Sequence, residues 1–354
     1  MIGSFSAGSN LTGQYFDVDR IAYLCHLHGA LAFFDYACVG PYLEINMSGE
    51  TNLGFSRKWL STDDSPRFER LCYKDAIFIS PHKFVGGPGS SGILVMKARV
   101  VSNNLPPVVP GGGTVLYVNE DEHIYVKNIE EREEAGTPNI LGDIRAGLAF
   151  KLKHQIGCET ISRIDQQILN VVRERAKRMP NVVFHGNLDL KRVPIFVVSI
   201  RAFGKVLHYN FVCNLLNDLF GIFTRGGCSC AGPYGHELLS IDTARSHEIR
   251  DLLVEGKEIY KMGFTRINFS YLWDQPTITY LLDSLDFISK YGWLFLPKYI
   301  PKVESGQWMH LNGATSYTQR ESLHSFNILR PPSPQSSLQN FKLDTVTNSL
   351  SEVL

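Results

Sequence analysis

The chain has 354 residues, and its 35 Lys plus Arg balance 35 Asp plus Glu to a formal net charge of +0. That balance gives no electrostatic case for nucleic acid or a membrane surface, and no run of about 18 uncharged apolar residues is present to span a bilayer. The length suits two or three domains with a substantial core, and seven cysteines without a short-spaced even framework read as reduced thiols in a cytoplasmic or other reducing compartment.

Residues 1 to about 100 alternate strand-like and helical patterns, which argues for parallel β in an α/β layer. Residues 17–31 form the clearest predicted helix, and 30–34 the strand after it. Asp35 then lies at the strand's C-terminal end, where ligands gather in open α/β sheets. A carboxylate there can hold a cationic ring nitrogen, or it can be an ordinary turn residue or N-cap. Residues 43–68 are polar and read as a surface crossing. Residues 76–79 are a short β-rich run, followed by Ser80-Pro81-His82-Lys83, a turn containing Gly86, Gly87, Gly89 and Gly92, and another strand. A lysine held between a buried strand and such a turn is expected to be desolvated. Its amine would then be a nucleophile able to form a Schiff base with a carbonyl cofactor. The ordinary alternative is a surface lysine at a strand end.

Pro106-Pro107 and Pro110-Gly-Gly-Gly113 mark a loop, and residues 119–134 a charged hairpin or loop that brings Thr137 toward a site. A long helix is predicted from Asn139, with Ile140, Ile144, Leu148 and Leu152 on one face. Residues 157–300 read as a smaller α+β domain, with strands over 182–185, 193–200 and 264–270 and a helix over 208–220. Within it, Arg266 suits a carboxylate through two parallel hydrogen bonds, or a structural ion pair. Cys228-Ser229-Cys230 is open to several readings. It can be a nucleophilic thiol, a redox pair or half a metal site, although no second Cys/His pair at a plausible spacing supports zinc. Arg225 nearby would favour ionisation of Cys230. Residues 301–354 are rich in Ser, Asn, Gln and Pro and read as a largely disordered tail.

Asp35-Tyr-Ala-Cys38 followed by Ser80-Pro-His-Lys83 resembles the D-x-A-x and S-x-H-K motifs of class V aminotransferases, the pyridoxal phosphate family that includes cysteine desulfurases and selenocysteine lyases. Segments 5–13, 132–139, 225–233 and 265–270 resemble the family's asparagine segment, its R-x-E-x-G-T-P-N segment, its catalytic-cysteine segment and its late arginine. The match runs in order from about residue 4 to about residue 295. It implies an α/β chain of the pyridoxal phosphate (PLP)-dependent transferase fold type I, with a mainly parallel sheet in a large domain and a small α+β C-terminal domain. By the same resemblance, Lys83 carries the internal aldimine, Ser80 and His82 contact the cofactor phosphate, and Asp35 holds the pyridine nitrogen. Asn10 holds the ring oxygen, and Thr137 reaches a phosphate, commonly in the partner subunit, which implies a homodimer. Arg266, with Arg225, binds the substrate carboxylate, and Cys230 takes the substrate sulfur as a persulfide. Cys38 stands where desulfurases usually place glutamine, and reads as a small buried hydrophobe.

Family members begin with roughly a domain's worth of sequence before the Asn10 segment. Residues 1–138 therefore read as the C-terminal part of the large domain, 139–156 as a connecting helix and 157–300 as the small domain. An open sheet edge and poor independent stability are expected. The expected activity is removal of sulfur from cysteine, with an amino-acid substrate and a sulfur-acceptor protein as partners. A PLP-dependent transaminase, another lyase of the family, and a truncated non-catalytic remnant are the alternatives.

Overall fold

Three parallel strands bring the predicted N-terminal site residues to one edge. In the computed structural model, which describes residues 1–51, 53–101 and 105–311, the first sheet has the order β1-β2-β3-β4, from β1 (Ile2–Ser6), β2 (Leu31–Asp35), β3 (Ala76–Ile79) and β4 (Ile93–Met96). β1, β2 and β3 are parallel and β4 is antiparallel to β3. The connection from β1 to β2 is α1 (Val18–Leu27), whose N-cap Asp17 accepts from the Arg20 amide at 3.1 Å. Helix α2 (Ser65–Leu71) precedes β3.

One face of this sheet is core. Ala32, Phe34, Ile77 and Ile79 pack with Val18, Ala22 and Phe84. The other face carries Phe78 and Leu94, both exposed and aligned in register with Asp35. A parallel sheet is ordinarily covered on both faces, whereas here Phe78 and Leu94 are open to solvent and β1 lies at the edge of the sheet. Behind α1, the buried pair Lys74 and Asp19 is completed by the Thr51 amide and hydroxyl at 2.9 and 2.8 Å, so neither charge is left uncompensated.

The hairpin β5 (Val115–Val118) and β6 (His123–Tyr125) leads through α3 (Ile129–Glu133) into α4 (Ile140–Ile156) and α5 (Cys158–Ala176). Asn139 caps α4 by accepting from the Gly142 amide at 3.1 Å. The second sheet has the order β10-β11-β8-β7, from β7 (Val182–Phe184), β8 (Ile195–Ala202), β10 (Arg225–Gly227) and β11 (Phe264–Asn268), all antiparallel, with β9 (Lys205–Val206) beside β8. Helices α6 (Tyr209–Phe220), α7 (Gly232–Leu238), α8 (Thr243–Val254) and α9 (Gln275–Tyr291) complete this part. Contacts group residues 1–297 and 301–308 as one unit. Of the described residues, 298–300 and 309–311 fall in a second, in which the Leu311 amide donates to the Lys298 carbonyl at 2.8 Å. Of the predicted tail, 312–354 lie outside the described residues, whereas Trp308–His310 is a strand.

Asp165 on α5 is 4% exposed, and its Oδ1 has no hydrogen-bond partner. Burial pushes its carboxyl up to about 7, and Tyr15, Tyr42 and Tyr271 are the titratable groups that feel its charge. The folded chain therefore keeps a proton that the unfolded chain has lost. Stability should fall as pH rises from about 4 to 7, by at most about 4 kcal/mol. Thermal unfolding of Asp165→Asn across that range should show a flatter profile than wild type; two parallel profiles would contradict this.

Candidate active site

The ends of β1, β2 and β3 define the site. The Ala7 amide donates to the Asp35 carbonyl at 2.8 Å, and the Tyr36 amide to the Phe78 carbonyl at 2.8 Å, so the three strands leave the sheet together. Asn10 lies in the loop after β1, Asp35 is the last residue of β2, and Ser80 to Lys83 follow β3. Asp35 is exposed, and its Oδ1 accepts from the Ala37 amide at 2.7 Å. It is thus a turn residue as well as a site carboxylate, two roles that two oxygens can share.

Lys83 ends a one-turn 3-10 helix, Pro81–Lys83. Pro81 and Phe84 are buried, which leaves His82 and Lys83 on the exposed side. The expectation of a desolvated lysine is therefore corrected: the turn anchors itself with its apolar residues and holds the amine in solvent. The glycines behave as the turn requires. A Cβ at Gly87 would lie 1.9 Å from the Pro81 carbonyl oxygen, so the chain can double back under Lys83 only with glycine there.

A second cluster meets the first. The Asn10 side-chain amide donates to the Ser229 carbonyl at 2.5 Å, and Arg266 Nη1 donates to the Asn10 carbonyl at 3.3 Å. Gly13 makes this junction possible: the Val193 amide donates to its carbonyl at 2.9 Å, and a Cβ at Gly13 would sit 2.3 Å from the Val193 oxygen. Arg266 stands directly across from Arg225 in the β10–β11 register. Burial, and then the Arg225 charge, push the Arg266 guanidinium below its usual range. Among the described residues neither arginine is paired with a carboxylate, so the two form an unneutralised cationic pair. Arg225 Nη2 lies 3.8 Å from the exposed Cys230 Sγ.

Cys38 sits between the clusters. Its Sγ donates to the Ser9 carbonyl at 3.4 Å, and burial pushes the thiol up to about 11 despite the opposing charges of Lys83 and Arg266. The charge of Asp35 also acts on this thiol and raises its pKa further. Cys38 itself is neutral packing, in keeping with its small-hydrophobe reading.

Thr137 is exposed on the turn before α4, and among the described residues no hydrogen bond ties it to Asn10, Asp35 or Lys83. Residues that sequence reasoning passed over appear instead. Lys83 lines a cavity of about 220 Å³ with Tyr42, Asn268, Ser270, Tyr271 and Trp273. Lys153 on α4 donates to the Gly40 carbonyl at 2.7 Å and to that of Leu43, pinning the segment that carries Tyr42. Nothing in local sequence pattern marks Tyr42 or Lys153, because both roles arise from contacts distant along the chain.

Residues 72–247 match the family model Aminotransferase class-V. Over that segment the chain is similar to the class V aminotransferases. This class V segment includes Ser80, His82, Lys83, Thr137, Arg225 and Cys230, while Asn10, Asp35 and Arg266 flank it. A cysteine desulfurase of Salmonella typhimurium (strain LT2) is 28% identical over 189 residues, covering 51% of this chain and 44% of the relative. Among solved structures, the apo cysteine desulfurase of Thermococcus onnurineus NA1 matches with a TM-score of 0.59 at 23% identity, over 82% of this chain and 60% of that one. The cysteine desulfurase CsdA of Escherichia coli matches with a TM-score of 0.58 at 19% identity, over 81% and 58%. The chain thus shares the α/β fold of these structures. It spans under half the length of the curated relatives it matches.

Proposed function

We propose that this chain acts as a PLP-dependent cysteine desulfurase and works as a homodimer. The donor set fits the cofactor: an amine, a carboxylate, a side-chain amide, a hydroxyl and an imidazole all follow the C-terminal ends of β1, β2 and β3. Lys83 would hold the aldehyde carbon, Asp35 the pyridine nitrogen, Asn10 the ring oxygen, and Ser80 and His82 the phosphate. When bound, PLP supplies an electron sink for bonds at the substrate α-carbon. Lys83 would move the proton at that carbon. Arg266, with Arg225, would grip the α-carboxylate, whose negative charge relieves the repulsion between the facing guanidiniums.

One observation favours sulfur chemistry over transamination, for which Lys83 and Asp35 would serve equally. It is the exposed Cys230 thiol beside the Arg225 guanidinium, at the same cluster as Arg266. A neighbouring cation favours the thiolate. That thiolate would attack the substrate sulfur, and the carbon–sulfur bond would break with its electron pair left on carbon. Sulfur would then pass to an acceptor protein. All seven cysteines are free, as a reducing compartment such as the cytoplasm would keep them, and no described helix is long and apolar enough to cross a membrane. Purified chain supplied with PLP, cysteine and a dithiol reductant should release alanine and sulfide in equal amounts. Normal PLP loading with no product would reject the proposal.

Support for a homodimer comes from α4. It buries its small face, Gly142, Ala146 and Ala149, while Ile140, Leu141, Ile144 and Leu148 are each more than half exposed. The predicted apolar stripe is real, but within one chain it faces outward. Such a stripe is suited to a second copy of the same surface. Sedimentation velocity should give a dimer that Ile144→Glu with Leu148→Glu converts to monomer; a wild-type monomer at all concentrations would contradict this.

A further inference from the structure

We infer that Cys228 is a resolving thiol for Cys230: it displaces a persulfide sulfur from Cys230, and the two cysteines close a disulfide across a single residue. The inference rests on the proposed function for the arrival of sulfur on Cys230, and on the geometry of one turn for the rest.

The Ala231 amide donates to the Cys228 carbonyl at 3.1 Å, closing a four-residue turn from Cys228 to Ala231. Both central residues are left-handed, Ser229 at φ 49° and Cys230 at φ 63°. This is type I′ geometry, which belongs to Gly, Asn and Asp, and Ser or Cys adopts it at a cost. The turn does not repay that cost locally. Ser229 is buried with its Oγ unpartnered, and the turn is held from outside by the Asn10 amide on the Ser229 carbonyl. Strain maintained by neighbours at a reactive residue points to function.

The bend draws Cys228 and Cys230 together. Two consecutive 3.8 Å Cα steps bent into such a turn leave the outer Cα atoms about 5.5 Å apart, inside the range a disulfide spans. The two thiols also differ in access. Cys230 is exposed beside Arg225, whereas Cys228 is half-buried at the end of β10. External acceptors can therefore reach Cys230, while Cys228, beside Gly235, is more sheltered from them.

In the step, the Cys228 thiolate attacks Cys230 Sγ. The bond between Cys230 Sγ and the outer sulfur breaks, and that sulfur leaves as hydrosulfide with the electron pair. The Cys228 proton passes to solvent or to the leaving hydrosulfide. Both cysteine sulfurs end oxidised as the disulfide, and the outer sulfur ends reduced. An external dithiol returns the pair to thiols. Sulfur bound for an acceptor protein would thus be released as hydrosulfide when no acceptor takes it in time.

Inorganic polysulfide loads a reactive cysteine directly, without cofactor or amino acid. Full-length chain should be treated with it, freed of reagent and cleaved after Arg225 and Arg245, which leaves both cysteines in one peptide. Wild type should give that peptide lighter by two hydrogen atoms, with one further equivalent of hydrosulfide released. Cys228→Ser and Cys228→Ala should give it heavier by one sulfur atom and stable, and Cys230→Ser should give neither species. A wild-type persulfide that persists as long as that of the Cys228 variants overturns the inference, as does pairing of Cys230 with a different cysteine. Because loading bypasses the active-site chemistry, failure of this test leaves the desulfurase reading intact. Conversely, a chain inactive toward cysteine can still pass it.

Discussion

Cys230→Ser should lose sulfide release from cysteine by more than about 10³-fold, the scale on which enzymes lose rate when a nucleophile is removed. The change replaces one atom with a smaller one on an exposed side chain, so the fold and the Asn10 anchor on Ser229 should be untouched. A serine hydroxyl is not ionised beside Arg225 near neutral pH, and it cannot carry a sulfane sulfur. PLP loading should be unchanged, which separates a lost sulfur acceptor from a lost cofactor site. A transaminase or a carbon–carbon lyase built on the same chain would keep its activity in this variant. Retained sulfide release would mean that another group takes the sulfur.

Lys83→Ala should be nearly as severe, with turnover down about 10²- to 10⁴-fold from loss of the proton-moving amine alone. It should also lose tight PLP binding. The structure makes this a clean experiment. Lys83 is exposed, and its 3-10 turn is held by buried Pro81 and Phe84, so stability should move by no more than about 0.5 kcal/mol. Activity lost together with a large drop in melting temperature would instead assign the lysine a structural role.

How far sequence reaches into this molecule depends on how local each feature is. The strands predicted over 76–79 and 264–270 and the helices from Asn139 and His208 are written in short apolar periods with Asn or His caps, and the structure has them there, the second strand ending at Asn268. Asp35 and Lys83 were legible because one closes a strand and the other sits in the turn that follows one, and parallel neighbours bring strand ends together. The outward turn of Ile140, Ile144 and Leu148 was not legible. Periodicity reports that a helix has an apolar face, but says nothing about whether that face meets its own chain or another. The solvation of Lys83 was misjudged for a similar reason, since the apolar residues beside it serve the turn rather than cover the amine. The Arg225–Arg266 register and the left-handed Ser229-Cys230 pair depend on partners 41 and 219 residues away along the chain, which no window of sequence contains.

The central claim is that the amine at position 83 holds PLP. Titrating the purified chain with PLP, reducing it with borohydride and mapping the labelled peptide tests it most directly. An absorbance band that borohydride removes, with the label fixed on Lys83, is the predicted result. A chain that gives no such band at saturating PLP, or that carries the label on another lysine, would contradict the account.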